Sequence, residues 1–515
     1  MALNLFGGGK VDHPLADPKR AKEIVAELPS NNSSKALEEI VEWLESLTRT
    51  EGFKLDHRLE VVDLLDGAAK NHQRKVAQEY LALRREHRFQ ENKLWNDTYA
   101  FWRNLGEAYE LCIRQHESGF SGAAAVKKSL PMIVARAVRA LTLQVKWTLL
   151  RYGPIEPRVF QELSRLYQFA ESRGFAESVI AIYPGAHGQG SVRQEFLKAL
   201  MLSASSTDGL TPARQELAER AVAHFSGSFL LSKTPDALNY CFNLADPKAP
   251  VRRITVNEAA PSLRYFGAGD GLARLNALIG QVEQFGEIPA DVNLGGIQEK
   301  SLVIGVLRHL AMYWSDQPPA RSSERRNIAG SVTVVPGLSE ILNTLDPATS
   351  DDLDFSQDSS TAATENWVVV NVSEGGYGAI VPPKKSEWLK VGTLVGLQSE
   401  TSKHWGVGLV RRISSDEHKQ RRVGVQLVSK AALPIKVGKP AANGSPGNLQ
   451  PAILLSTSPD AKGEVGVILR EGLFNSRDSL DMLVKDKSYL LMPSSVVEDG
   501  DDFEWAKFKV MQRSA

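Results

Sequence analysis

Residues 371–381 read Asn-Val-Ser-Glu-Gly-Gly-Tyr-Gly-Ala-Ile-Val, and residues 321–326 read Arg-Ser-Ser-Glu-Arg-Arg. The first stretch has the form Asn-x-Ser-x-x-Gly and runs into an apolar tail. At a strand end, Asn371 and Ser373 fall on one face because strand side chains alternate. Gly375 and Gly376 let the chain turn and let another group approach the backbone. The second stretch contains Arg-x-x-x-Arg, formed by Arg321 and Arg325, with Arg326 following. Guanidinium groups offer planar forks of donors for phosphates and for the O6/N7 edge of guanine, and they stack on purine faces. Either motif alone is commonplace: one marks a solvated face, the other an ordinary turn. Their order, with a strand after each, carries the information.

Working outward, short β-branched runs at 331–335, 367–372, 393–397, 406–413 and 423–428 are separated by Gly, Pro, Asp and Ser, the spacing expected of a barrel. Residues 346–366 are acidic, hold no Lys or Arg and have little to bury, which predicts a mobile loop. Residues 439–448, KPAANGSPGN, break the pattern. Strand signals resume at 452–456, 464–469, 488–492 and 503–510 and predict a second, smaller β-unit. Upstream of Pro318-Pro319 the periodicity is helical. Between 35 and 47 the apolar positions Leu37, Ile40, Val41, Leu44 and Leu47 share one helix face, with Ser34 as the expected N-cap. Further helices are expected between 57 and 119, at 141–151 and 159–171 around Tyr152-Gly153-Pro154, from Pro212, at 271–285 and at 297–314. The fold class is therefore α+β multidomain: a flexible N-terminus (1–34), an all-α, solenoid-like domain (35–314), an antiparallel β-barrel (315–438, acidic loop 346–366) and a C-terminal β-unit (449–515).

The chain has 515 residues, enough for two to four domains of about 100–200 residues each. Lys+Arg and Asp+Glu both number 61, so an overall charge suited to holding duplex nucleic acid is missing. Two cysteines cannot build a disulfide framework or a zinc cluster. The first residues lack a basic start followed by an apolar core, and no stretch reads as a membrane span, so a cytoplasmic protein is expected.

The paired motifs and the strands around them resemble the PilZ domain, the bacterial receptor module for cyclic di-GMP. Residues 405–413, WGVGLVRRI, and 422–428, RVGVQLV, look like the strands that close the PilZ barrel. The resemblance covers residues 321–436. It implies that Arg321 and Arg325 hold a phosphate and a guanine of the ligand. It also implies that Asn371 and Ser373 contact guanine or support the arginines, that Gly376 permits the turn, and that Arg326 adds a phosphate contact. Two features depart from the usual pattern: the acidic segment separates the motifs widely, and Asn stands at 371 where Asp is the other accepted form.

The expected function is a cyclic di-GMP-binding effector, not an enzyme, with no metal and no cofactor beyond that ligand. Binding would be relayed to the helical domain or to a protein partner, because residues 315–320 join the last helix to Arg321 with little slack. The alternative is an interaction scaffold whose barrel does not bind nucleotide. Other candidates are weaker. Residues 267–271, Gly-Ala-Gly-Asp-Gly, precede a helix but lack the Gly-Lys-Ser/Thr of a phosphate loop. Trp95, Tyr99, Phe101, Trp102 and Tyr109 have helical spacing and read as a helix–helix core. Arg411, Arg412, Lys419, Arg421 and Arg422 around Asp416-Glu417 read as a charged hairpin tip, with a secondary anion contact as the other reading.

Overall fold

The computed structural model describes residues 11–83, 88–185, 188–236, 238–253, 260–296, 299–319, 326–345, 364–382, 388–402, 404–418, 420–440, 449–484 and 487–512. The chain forms two compact units, Met1–Thr207 with Pro212–Ala320, and Asp208–Thr211 with Arg321–Ala515.

In the first unit the principal helices are Ser33–Arg49, Leu55–Ala82, Arg88–Glu117, Leu130–Leu149, Pro157–Ser172, Val192–Ala204, Pro212–Phe225, Gly271–Phe285 and Lys300–Trp314. The apolar stripe of Ser33–Arg49 does what its spacing predicts: Leu37, Ile40, Leu44 and Leu47 are buried. Its cap differs. Asn32 accepts from the Lys35 amide at 3.0 Å, while Ser34 lies inside the helix and donates to the buried Asp97. Leu130–Leu149 is buried on nearly every side, so the neighbouring helices gather round it rather than stacking as regular pairs. Phe101, Trp102 and Tyr109 are core residues, as expected. Tyr109 donates to Asp63 at 3.0 Å and to Asp66 at 2.8 Å, Tyr183 donates to Asp66 at 2.8 Å, and Arg136 pairs with Asp63 at 2.8 Å. Burial pushes the Asp66 carboxyl above its ordinary range, against the pull of the two tyrosine hydroxyls. Among the described residues no helix is long and apolar enough to cross a membrane.

Two expectations for this unit need correction. The N-terminus is not flexible from 11 onward: Pro18–Ala26 is a helix capped by Asp17, with Leu15, Ala21 and Ile24 buried. With so few buried positions, the segment is too short for its period to show in the sequence. Nor is the unit all-α. It contains a four-stranded antiparallel sheet, in spatial order Leu230–Ser232, Leu263–Gly267, Tyr240–Asn243, Val251–Arg252. These strands are two to five residues long, below the length at which alternation is legible.

The second unit contains two closed six-stranded barrels. The first is built from β1 (Arg326–Pro336), β2 (Glu365–Ser373), β3 (Gly376–Val381), β4 (Leu394–Ser399), β5 (Gly406–Ser415) and β6 (Arg421–Ser429). The second is built from β7 (Leu433–Gly438), β8 (Gln450–Leu454), β9 (Glu464–Leu469), β10 (Leu480–Val484), β11 (Lys487–Asp499) and β12 (Glu504–Gln512). Around each barrel the order is the same: β1-β2-β3-β6-β5-β4 and β7-β8-β9-β12-β11-β10. The C-terminal unit is thus a second barrel of identical topology. The boundary at 438 is displaced, because Leu433–Gly438 hydrogen-bonds to β8 and β10 and opens the second barrel.

A short helix, Gly337–Leu345, follows β1. Its apolar residues Leu338, Ile341 and Leu342 pack with Val335, Leu394 and Leu409 of the first barrel and with Ile453, Ile468 and Phe503 of the second. Asp502, from the second barrel, accepts from the Leu338 amide at 2.7 Å and so caps this helix. The two barrels therefore share one core.

The acidic segment does not extend to 366 as a loop. Strand β2 starts at Glu365, whose side chain is 3% exposed. Its carboxylate accepts from Trp367 Nε1 at 2.9 Å and Trp388 Nε1 at 2.8 Å, and the two indoles stack 5.8 Å apart. A carboxyl group can be buried there because two donors are fixed on it, which composition alone does not reveal. Deleting 346–363 is expected to leave denaturant unfolding of this unit unchanged. Deleting 346–366, or Glu365→Ala, strands two indole donors and should lower stability by about 2–4 kcal/mol. Equal unfolding midpoints for the two deletions would contradict the assignment.

Candidate functional site

The first barrel presents two kinds of face, and two irregularities decide which residues meet outside it. On β2 the alternation Glu365, Trp367, Val369 points inward, and all three are buried. Val369 pairs with the buried Ala379, but the register then shifts, so that Asn371 pairs with Gly378, Val372 with Tyr377 and Ser373 with Gly376. Directly paired residues share a face. Since Ala379 faces inward, Gly378 and Gly376 face outward, and so do Asn371 and Ser373. A second bulge, between Asn327 and Gly330 on β1, lies at the same level. Bulges at a barrel rim re-aim side chains in this way. Without the extra residue, Asn371 and Ser373 would continue the inward row of Trp367 and Val369.

The glycines of this face are required sterically. A Cβ on Gly376 would lie 1.9 Å from the Val425 carbonyl oxygen, so no side chain fits at this crossing of β3 and β6. A Cβ on Gly378 would lie 2.6 Å from Asn371 Oδ1, so this glycine makes the room that the Asn371 amide occupies. Gly424 continues the glycine row on β6, opposite Gly378. Gly376, Gly378 and Gly424 contribute no side chains of their own to the outer surface here, where the Asn371 amide lies over Gly378. Ser373 sits at the rim, with its hydroxyl 3.5 Å from the Gly376 carbonyl, at the long limit of a hydrogen bond.

The structure therefore brings Asn371, Ser373 and Gly376 together on one outward face. Arg326 opens the neighbouring strand β1 and is exposed, but it pairs with Val372 and is out of phase with that row. Its neighbour Asn327 pairs directly with Asn371 and joins the row, a residue the motif reading passed over. Arg321 and Arg325 lie outside the described residues. At the tip of the β5–β6 hairpin, Asp416 accepts from the amides of His418 and Gln420 at 3.0 Å each and pairs with Arg422 at 3.2 Å. The Gln420 amide, first among these donors, holds the Asp416 carboxyl below the usual range. Arg422 thus pairs within the tip, as expected from the sequence, whereas Arg411 turns to Glu498 and Arg412 to Asp208; Lys419 lies outside the described residues. Among the described residues no cluster of three His, Cys, Asp or Glu side chains is arranged for a metal.

Among the described residues the second barrel has no counterpart of this face. Its β8–β9 connection, at the place of the motif, holds Ser456, Ser458 and Asp460 in local turns, with Asp460 bound to Lys507 at 2.7 Å. Topology is repeated and the site is not.

Gly376→Ala drives a methyl group into backbone and is expected to disrupt the β3–β6 pairing, with a large fall in thermal stability. Gly378→Ala meets only a side chain and should leave the melting temperature within a few degrees while displacing Asn371. Both are read by thermal unfolding followed by circular dichroism. A Gly376→Ala protein as stable as wild type would contradict the crossing.

Residues 19–236 match the family described as Cyclic-di-GMP receptor FimW, N-terminal domain. Residues 343–434 match the family described as Cyclic-di-GMP receptor FimW, middle PilZ domain. No curated protein matches the sequence. The PilZ match falls on the barrel that carries the glycine face, and the helical match falls on the first unit, a region for which the sequence reading had no family. Together the two matches span more than half of the chain and occur in the order of the two names, so the chain belongs to the FimW family of cyclic di-GMP receptors.

Proposed function

We propose that cyclic di-GMP binds on the outer face of the first barrel, with Arg321 and Arg325 on a phosphate and a guanine. Asn371 and Ser373 serve as polar partners beside them, Gly376 is the point of close approach, and Arg326 is an auxiliary phosphate contact. The observation that carries this reading is the shared outward face of Asn371, Ser373 and Gly376, created by the bulge at the end of β2. The ligand brings two phosphate charges and two guanine edges. The face supplies short polar groups and bare backbone, and the arginines that precede β1 supply positive charge and paired donors. No reacting group is needed, so the chain acts as a receptor and not as an enzyme.

The relay reading draws support from the first unit. Its last helix ends at Trp314, and the segment after it is tied to the sheet: Asn239 donates to the Ser315 carbonyl at 2.8 Å and Arg252 to the Pro319 carbonyl at 2.7 Å. Tyr240 reaches the Tyr313 carbonyl at 2.7 Å. The chain is thus anchored to within two residues of Arg321. Contacts of Arg321 and Arg325 with the ligand would be felt by that anchor, and through it by the helical unit or a protein bound to it.

Arg321→Ala and Arg325→Ala should each weaken cyclic di-GMP binding by about ten- to a hundredfold, since charge-assisted hydrogen bonds contribute about 1.5–3 kcal/mol. Arg→Lys should rescue poorly, because the planar fork is lost. Calorimetry with GTP as control checks this, and a double variant binding like wild type would refute the assignment. For the relay, Asn239→Ala with Arg252→Ala should leave affinity within about threefold but remove the ligand-induced change in protease sensitivity of the helical unit. An unchanged proteolytic response would refute it.

A further inference from the structure

We propose that Gln426 is a further ligand-binding residue, donating its amide NH2 to an acceptor atom of cyclic di-GMP. The second barrel, through Glu498 and Arg411, holds it in position. The inference rests on the outer face of the first barrel being the ligand site.

The register carries the argument. Gly376 pairs with Ser373 on one side and with Gln426 on the other. Ser373, Gly376 and Gln426 therefore form one row across β2, β3 and β6, at a strand spacing of about 4.8 Å. Gln426 is exposed, and it stands on the same face as the motif residues. The row continues to Leu409 on β5 and Leu394 on β4, which lie in the core shared with the second barrel. Gln426 is thus the last open position before the second barrel covers the face.

Its orientation is set by chemistry. Arg411 Nε donates to Gln426 Oε1 at 2.7 Å, and the two terminal nitrogens of Arg411 donate to the two Glu498 oxygens at 2.6 Å each. Arginine has donors only, so the glutamine must offer its oxygen to Arg411. Its Nε2 is then directed away from Arg411, and no described residue accepts from it. Arg411 is the extra residue of a bulge, between Val410 and Arg412, which turns it toward Glu498 on β11. Glu498 itself lies at a register shift of β11. Two bulges thus build a bidentate link whose result is one fixed amide donor at the edge of the glycine face. The arginine charge is matched by Glu498, so the row gains a directed donor without a free cation. Gln426 is the binding residue here; Arg411 and Glu498 are positioning residues.

The test is calorimetry of the full chain with cyclic di-GMP, with thermal melts to confirm folding. Gln426→Leu removes the donor and should weaken binding by about tenfold, the size of one hydrogen bond to a charged or strongly polar acceptor. Gln426→Glu puts an acceptor against an acceptor and should bind at least about threefold more weakly than Gln426→Leu. Removing the positioning pair together, Arg411→Ala with Glu498→Ala, keeps the net charge. It should weaken wild-type binding by about threefold to fivefold but add less than about twofold in the Gln426→Leu background, because it acts through Gln426. Gln426→Leu binding within twofold of wild type overturns the proposal, and so does Gln426→Glu binding more tightly than Gln426→Leu. Full additivity of the pair with Gln426→Leu overturns the positioning role. If wild type itself does not bind, the site reading beneath the proposal fails first, and that outcome is distinct from the others.

Discussion

The β-unit depends on how the short helix Gly337–Leu345 is buried. Its three buried apolar residues, with Leu345 packed beside them, fill the space between two barrels, and its N-terminus is capped by Asp502 from the barrel to which it does not belong. Burying side chains of this size contributes about 1.5–3 kcal/mol each, and the cap contributes about 1 kcal/mol more. Ser429 donates to the Leu455 carbonyl at 2.6 Å, and Arg411 joins Glu498, so polar ties rim the apolar contact. One consequence is that the outer face of the first barrel is divided: Val335 of β1, Leu394 of β4 and Val407 and Leu409 of β5 are covered, while the rows through Asn371 and Ser373, from Asn327 of β1 across β2, β3 and β6, stay open. A receptor surface on this barrel has only the second part available.

On the open part, backbone sterics replace side-chain packing as the organising constraint. Gly376 is fixed by the Val425 carbonyl and Gly378 by the Asn371 amide. Between them they clear a strip of backbone and aim one amide across it. The bulge in β2 is what brings Asn371 and Ser373 to that strip. The Asn-x-Ser-x-x-Gly pattern thus has a mechanical meaning in this protein: a change of face, a rim hydroxyl and a crossing too close for a Cβ. The second barrel repeats the strand order without the bulge-and-glycine arrangement among its described residues, and its equivalent connection is tied to β12 through Asp460 and Lys507.

Much of this was legible in the sequence because it rests on local signals. The stripe Leu37–Ile40–Leu44–Leu47 announces its helix, and the β-branched runs announce the strands of the first barrel. The paired motifs point to the family and to the residues of the open face. What escaped depends on long-range pairing. That Leu433–Gly438 opens the second barrel follows from partners at 450–454 and 480–484, not from its own six residues. Glu365 looks like the end of an acidic loop until two indoles, one of them from Trp388, are seen to hold it. The short helix after β1 has only nine residues, and its cap lies far along the chain. Asn327 and Gln426 join the motif row only through register, which no periodicity reveals.

The most direct test of where the ligand acts is amide hydrogen exchange of the whole chain with and without cyclic di-GMP. The account predicts that the largest ligand-dependent protection falls in residues 371–378 and 421–427, the strands of the glycine face. The corresponding connection of the second barrel, residues 455–464, should exchange at the same rate in both states. Protection concentrated in the second barrel or in the helical unit, with 371–378 unchanged, would contradict it.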